Sequence, residues 1–239
     1  MCRLVRSWRK QTLHLRASVG QPTETCLALN HNRRGMADTN RGGRSPRLNQ
    51  SSRSQKRAAE YADKAILLAP DDANAHEVRA RVHIEAGEIE EAIARYDQAI
   101  ALNPSNSEIL VGSTDPLLFV GRFDESIDRI ERAKGIDPFY ADWFNWQMGW
   151  ALWEKNDCKA ALMAMRKMSR IPNGAQRMLA GIQACLGNVR EAKEALAVFL
   201  QNSPGDSISK QRRKWEKIWI APGSLDRWIE HMRIAGLPE

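Results

Sequence analysis

The sequence predicts an all-α protein in which helix pairs stack side by side as a solenoid. One observation is a series of prolines spaced by 34, 34, 34 and 32 residues, at positions 70, 104, 138, 172 and 204. Another is the pattern between them, in which Gly87 permits a turn and Ala92, Tyr96 and Ala99 then form one face of a helix. A period of this length with one turn per copy is typical of a two-helix repeat.

The first 53 residues show neither a helical nor a strand period, and they are predicted to form a disordered basic tail. Residues 1–57 hold 13 of the 36 Lys and Arg residues but only 2 of the 29 acids, so the basic pI of about 9.4 belongs to this tail. Three interpretations stay open. The tail is a disordered leader, including sequence upstream of a start at Met36; an arm that weakly binds nucleic acid or an anionic membrane; or an organellar transit peptide.

The periodic part begins with a half repeat at 54–72, for which Ser54 is the predicted N-cap. Four complete repeats follow, and residues 205–239 are predicted to form two capping helices with Ser224 as the N-cap of the last. The complete repeats span residues 73–106, 107–140, 141–172 and 173–204.

The second repeat carries a proline inside its first helix. Pro116 has no amide to bond to the Gly112 carbonyl, and its ring clashes with the preceding turn. We therefore expect a kink or break near Asp115 and Pro116.

The repeated residues keep one phase, and residues 58–204 thereby resemble tetratricopeptide repeats. The clearest copy shows this phase in Ala80, Gly87, Ala92, Tyr96, Ala99 and Pro104. In that family the helix pairs form a right-handed superhelix with a concave groove. The resemblance implies a non-catalytic scaffold without cofactors, which binds a segment of a protein or peptide partner in its groove.

A second resemblance covers residues 105–239. The runs 118–127 and 136–140, the aromatic helix that follows, and the ending 235–239 are similar to the C-terminal repeat arm of bacterial class III adenylate and guanylate cyclases. The sequence shows no counterpart of their catalytic domain, because Asp115 in the run 112–115 has no partner carboxylate in a βαβ setting. The alternative function is therefore a detached regulatory arm of a cyclase signalling protein. A truncated gene product is one form that such an arm could take.

The groove residues of the tetratricopeptide family are the second, fifth, ninth and twelfth of each first helix. In the third repeat these positions hold four tryptophans; Arg81 and Arg177 hold such positions in the first and fourth. One interpretation is an aromatic trough for a partner, because Trp offers a large contact area and an N–H donor. The other is that the rings pack against neighbouring helices and the C-terminal cap. The candidate tryptophans are Trp143, Trp146, Trp150 and Trp153.

The remaining patterns argue against other classes of site. The run 210–219 alternates bases with Trp215 and Trp219, and we interpret it as a capping helix with its rings on the last repeat; nucleic-acid or membrane binding is the alternative. His76 and His83 share a helix face without a third metal ligand. No nucleophile with its base, phosphate loop or small-molecule site is evident.

The cysteine spacing and the hydropathy indicate the cellular compartment. The four cysteines lack a CxxC spacing and are expected to be reduced thiols. No apolar run is long enough to span a membrane, and the first 30 residues lack the apolar stretch of a secretory signal, so we expect a cytoplasmic protein.

Overall fold

The computed structural model describes residues 47–239, with side chains from residue 56 onward. These residues form twelve helices and no strand. In chain order they are α1 (Arg47–Leu68), α2 (Ala73–Ala86), α3 (Ile89–Leu102), α4 (Ser107–Gly112), α5 (Thr114–Val120), α6 (Phe123–Ile136), α7 (Trp143–Glu154), α8 (Cys158–Arg166), α9 (Asn173–Cys185), α10 (Val189–Asn202), α11 (Ile208–Trp215) and α12 (Ser224–Ala235).

Consecutive helices pack as the repeat pattern predicts. The pairs are α2 with α3, α4 and α5 with α6, α7 with α8, and α9 with α10; α6 also packs on α7, and α8 on α9. The fold class is therefore confirmed as an all-α solenoid of helix pairs. None of the described helices is long and apolar enough to cross a membrane.

The core between the helices explains why the repeat alternates small and bulky residues. Ala80, Ala92 and Ala99 have no exposed surface, and Tyr96, at 2% exposure, fills the space beside them. Gly87 closes α2 with a φ of 82°, which a residue with a side chain adopts only with strain.

The N-terminal end differs from the prediction in one respect. The first described helix, α1, begins at Arg47, so Ser54 lies inside the helix and does not cap it. The rest of the predicted tail lies outside the described residues. The helix runs on through Arg47–Leu68 and packs against α2.

The predicted break in the second repeat is confirmed. The helix stops at Gly112 and resumes at Thr114, with Ser113 between them. The hydroxyl groups of Ser113 and Thr114 donate to the carbonyls of Leu110 and Val111, both at 2.7 Å, which supplies partners to carbonyls next to the break.

The prediction that all four cysteines are reduced thiols is wrong for two of them. Cys158 and Cys185 form a disulfide, with their Cα atoms 6.3 Å apart. Cys158 opens α8 and Cys185 closes α9, and the packing of these two helices brings together residues that are 27 positions apart. The sequence does not predict this disulfide, because the two cysteines are brought together by helix packing and are not close in the chain.

Candidate functional site

The four tryptophans of α7, here called the tryptophan stripe, do not share one environment. Trp143, Trp146 and Trp150 are half-buried, whereas Trp153 has no exposed surface. The stripe divides into a first half, Trp143 and Trp146, and a second half, Trp150 and Trp153. The two halves have different neighbours.

The second half of the stripe packs against rings from the C-terminal region. The Trp150 ring lies edge to face with Phe119 at 5.5 Å and with Trp219 at 5.8 Å between centroids. The Trp153 ring lies edge to face with Trp228 at 5.5 Å. For this half, the interpretation of packing against neighbouring helices and the C-terminal region describes the structure.

Residues 208–221, here called the C-terminal segment, contact two of the predicted groove residues, Trp150 through Trp219 and Arg177 through Trp215. The amides of Ile220 and Ala221 both donate to the Phe119 carbonyl, at 2.9 and 2.7 Å. Ile218 lies beside the turn of the first repeat, because a β-carbon added at Gly87 would be 3.8 Å from its side chain. The groove predicted for a partner thus already holds part of the chain itself.

The two tryptophan rings of the C-terminal segment contact more repeats than the sequence predicts. Trp215 contacts the fourth repeat, where Arg177 lies 5.8 Å from its ring centroid, but it also lies 6.1 Å from Phe119 of the second repeat. Trp219 lies against the rings of Phe119, Trp150 and Trp228, which belong to the second repeat, the third repeat and the cap helix. The predicted packing of both rings on the last repeat is therefore incomplete, because both rings also contact the second repeat.

Arg177 anchors the C-terminal segment. Its Nη1 donates to the Gln211 side-chain oxygen at 2.9 Å. Its guanidinium group also lies over the rings of Trp215 and Trp228, at 5.8 and 5.4 Å from their centroids. Burial lowers the pKa of Arg177, and the nearby Asp206 carboxylate opposes this shift.

The cap helix α12 is held by an ion pair that leaves the Glu154 side chain with no exposed surface. An Nη atom of Arg227 lies 2.5 Å from a Glu154 carboxylate oxygen and 3.1 Å from the Glu154 carbonyl oxygen. Burial raises the pKa of Glu154, while hydrogen bonding from Ser224 and the charge of Arg227 lower it. The prediction that Ser224 is the N-cap of α12 is wrong, because Ser224 is the first residue of the helix and Gly223 occupies the cap position.

A glycine of the fourth repeat lets α12 approach closely. A β-carbon at Gly181 would lie 3.3 Å from the Trp228 ring and 3.2 Å from the end of Met232. Trp228 is 2% exposed and Met232 is fully buried. By the family spacing Gly181, four residues after Arg177, also holds a predicted groove position, so α12 covers the predicted groove side of the last repeat.

His231 of α12 is expected to make the stability of the protein depend on pH. Its ring lies 5.4 Å from that of Trp153, and burial, followed by the charge of Arg227, lowers its pKa, against the effect of Glu230. The unfolded chain then binds a proton below about pH 6.5 that the folded chain takes up only at lower pH. We expect the free energy of unfolding to decrease as the pH falls through this range.

The matched variant for this prediction is His231→Gln. Glu154 has a raised pKa and acts in the opposite direction, so the measured quantity is the difference between wild type and variant in denaturant unfolding across pH. The wild type should lose more stability than the variant on acidification. Parallel curves would contradict this role of His231.

The first half of the stripe borders an open cleft of about 450 Å³. The cleft lies where α7 and α9 begin, between the third and fourth repeats. Its lining combines two indole rings with polar groups, and the residues are Ala141, Asp142, Trp143, Trp146, Met168, Arg170, Pro172 and Asn173.

Three features shape the open cleft. Trp146 packs against the backbone of Gly174, where an added β-carbon would lie 2.9 Å from the ring. The Asp142 carboxylate accepts the Ser169 hydroxyl and the Ser169 amide, and these bonds lower its pKa. Asn173 donates to the Ser203 hydroxyl at 3.1 Å, but its buried side-chain oxygen has no hydrogen-bond partner among the described residues.

Arg81 belongs to a separate polar group in the groove. It is 34% exposed and lies 3.9 Å from the Glu77 carboxylate. Asp115 accepts a 2.5 Å hydrogen bond from Gln147; burial raises the pKa of Asp115, and this bond and Arg81 lower it. The side-chain oxygen of Gln147 is buried without a partner among the described residues.

Sequence reasoning named the tryptophans and the two arginines as candidates but did not identify the residues that they contact. Asn173 and Gly174 border the open cleft, and Gln147 joins the polar group, yet none belongs to a motif. Gly174 and Gly181 did occupy groove positions, and paired glycines on such positions could have indicated that bulky side chains approach there. No group of three metal-ligating side chains occurs within residues 56–239.

Comparison with known proteins supports the repeat assignment. Residues 80–111 match the family model of the TPR repeat. A search of curated proteins finds no relative of the chain. The matched stretch covers most of the first repeat, which is the clearest copy in the sequence, and the first five residues of the second.

Several solved structures are similar to the chain. TTC0263, a TPR protein of Thermus thermophilus, is 16% identical, with a TM-score of 0.55 over 72% of this chain and 94% of that one. PilF of Pseudomonas aeruginosa is 18% identical, with a TM-score of 0.54 over 86% and 85%. YrrB, described as a TPR protein with an unusual peptide-binding site, is 22% identical, with a TM-score of 0.49 over 74% and 96%.

The similarity to TTC0263 and PilF confirms the predicted TPR-like helical solenoid. It shows the fold alone. The resemblance to the cyclase arm gains no support from these comparisons and stays a prediction.

Proposed function

We propose that the protein is a non-catalytic scaffold that binds a segment of a partner protein, and that the open cleft is where it binds. The observation that carries this proposal is the pair of half-buried indole rings, Trp143 and Trp146, that line the open cleft beside the exposed Arg170. Tryptophan and arginine side chains gathered in a concave surface are the residues that most often anchor a bound partner.

The lining indicates the chemistry of the bound segment. The two indole rings provide apolar faces for an aliphatic or aromatic side chain. Arg170 is exposed at the edge of the cleft, where it would favour a carboxylate. We therefore propose a peptide with an apolar anchor residue beside an acidic one.

The test uses peptides selected from a random library on the full-length protein. Replacing Trp146 by alanine should weaken their binding about 30-fold, because a tryptophan anchor contributes about 2 kcal/mol or more. Isothermal titration calorimetry measures the affinity, and circular dichroism shows whether the variant stays folded.

The matched control is Met163→Ala, because Met163 is 65% exposed on α8 and does not line the cleft. Its affinity should equal that of the wild type. The proposal fails if the library yields no peptide that binds, or if the Trp146 variant binds the selected peptides as tightly as the wild type does.

The alternative proposal is a regulatory arm of a class III nucleotide cyclase, which rests on the sequence resemblance of residues 105–239. It requires a complex with a separate cyclase catalytic domain and a changed rate of cyclic nucleotide formation. Mixing the purified proteins tests it, and an unchanged rate without complex formation would contradict it. The cytoplasmic location also stays a prediction.

A further inference from the structure

We propose that the C-terminal segment is a displaceable occupant of the groove. The surface beneath it then binds a partner segment of the same chemistry, an amphipathic segment with two aromatic residues four positions apart. This inference does not rest on the open cleft, because it concerns the second half of the tryptophan stripe.

The C-terminal segment is attached less extensively than the cap helix. Its helix α11 buries only Ile208 and Gln211, whereas α12 buries one side of its whole length. After α11 the chain leaves the helix, and only Trp219 and Ala221 are buried before the cap begins. Displacing the segment therefore exposes little apolar area compared with displacing α12.

The fit between the segment and the groove is incomplete. The indole N–H of Trp219 and the Nε of Arg177 are buried without a hydrogen-bond partner among the described residues. Each such group loses the hydrogen bond that it makes with water in the undocked state, so the docked state is weaker than its contact area indicates. A partner segment that supplies an acceptor to the Arg177 guanidinium would compete with the chain's own segment.

The surface beneath the segment is suited to an incoming chain. Phe119 lies in the last turn of α5, where a helix carbonyl has no intrahelical amide partner, and it accepts both the Ile220 and Ala221 amides. Its ring and that of Trp150 form an aromatic wall against which Trp215 and Trp219 pack. The carbonyl binds backbone amides and the wall binds two aromatic rings. A segment of another protein that offers these groups would therefore fit the same surface.

The bases of the segment point to its amphipathic character. Arg212 and Arg213 are exposed, and the Lys214 ammonium group lies 4.4 Å from the Trp215 ring centroid. Burial and then the charge of Arg177 lower the pKa of Lys214, while Asp206 and Glu85 raise it. The segment thus presents rings to the groove and Arg212 and Arg213 to solvent.

The test weakens the docking of the segment without changing a groove residue. Ile220→Pro removes one of the two amides that bond to Phe119, and Ile220→Ala keeps it; the Ile220 side chain is 54% exposed and contributes little. The probe is a fluorescent peptide with the sequence of residues 206–223, added to each full-length protein. We expect the proline variant to bind it at least about tenfold more tightly than the wild type and the alanine variant.

A folded proline variant that binds the peptide no more tightly than the wild type would overturn the proposal. Hydrogen exchange of the wild-type protein provides the second measurement and decides the case if the proline variant does not fold. The amides of Ile220 and Ala221 should exchange at least about 100-fold faster than those in α7 and α9. Exchange of all these amides at one rate would show that the segment opens only on global unfolding, and would overturn the proposal.

The two proposals fail separately. The affinity of the Trp146 variant for library peptides tests the open cleft. The affinity of the proline variant for the 206–223 peptide tests the groove beneath the C-terminal segment. A protein that binds library peptides but shows no effect of Ile220→Pro retains the proposed function without this further site.

Discussion

Replacing Trp153 by alanine is expected to lower the free energy of unfolding by about 3–5 kcal/mol. Its side chain has no exposed surface, and its ring joins α7 to the cap helix through Trp228 and His231. The change removes these contacts and leaves a cavity that rigid helices on both sides cannot fill. Urea unfolding followed by far-ultraviolet circular dichroism measures the loss.

Trp146→Ala is the matched comparison, because it removes the same side chain from the same helix. Trp146 is half-buried and borders the open cleft, so its loss should cost only about 1–2 kcal/mol. Equal losses for the two variants would contradict the difference in environment between the buried Trp153 and Trp146, which borders the cleft.

Replacing Arg227 by methionine is expected to destabilise the protein by about 3 kcal/mol near pH 7. The Glu154 carboxylate loses its ion-pair partner while remaining without exposed surface. Burial already raises the pKa of Glu154, and the loss of the positive charge raises it further. Because a raised pKa favours the folded state only at lower pH, the destabilisation should grow as the pH rises through the folded pKa.

The control adds Glu154→Gln to the Arg227→Met variant. The amide needs no counter-ion, so most of the lost stability should return, and the pH dependence of the variant should flatten. If the two substitutions have purely additive effects, the ion pair does not contribute in the way the geometry indicates.

The fold was accessible to sequence reasoning because its determinants are local and repeated. Each helix pair has its own sequence signals, which are the spaced prolines, a turn such as that at Gly87 and the alanine faces. Every pair also packs mainly on its neighbours. The break near Pro116 was predictable for the same reason, since it follows from one missing amide. The disulfide was not, because Cys158 and Cys185 approach each other only through packing of separate repeats.

The candidate site was only partly accessible. The stripe on α7 follows from helical spacing, but the spacing cannot show which rings another segment covers. That depends on the path of residues 208–221, which is fixed by contacts such as the bonds to Phe119 and the anchor at Arg177, far away in sequence. Asn173 and Gly174 take their roles from where α9 begins relative to α7, which no repeat pattern encodes.

The most direct test of the account is a titration of isotope-labelled full-length protein with a library-selected peptide, followed through the indole N–H signals of the tryptophan stripe. The account predicts that the signals of Trp143 and Trp146 shift on binding and that the signal of Trp153 stays in place. A shift of the Trp153 signal with those of Trp143 and Trp146 unchanged would contradict it.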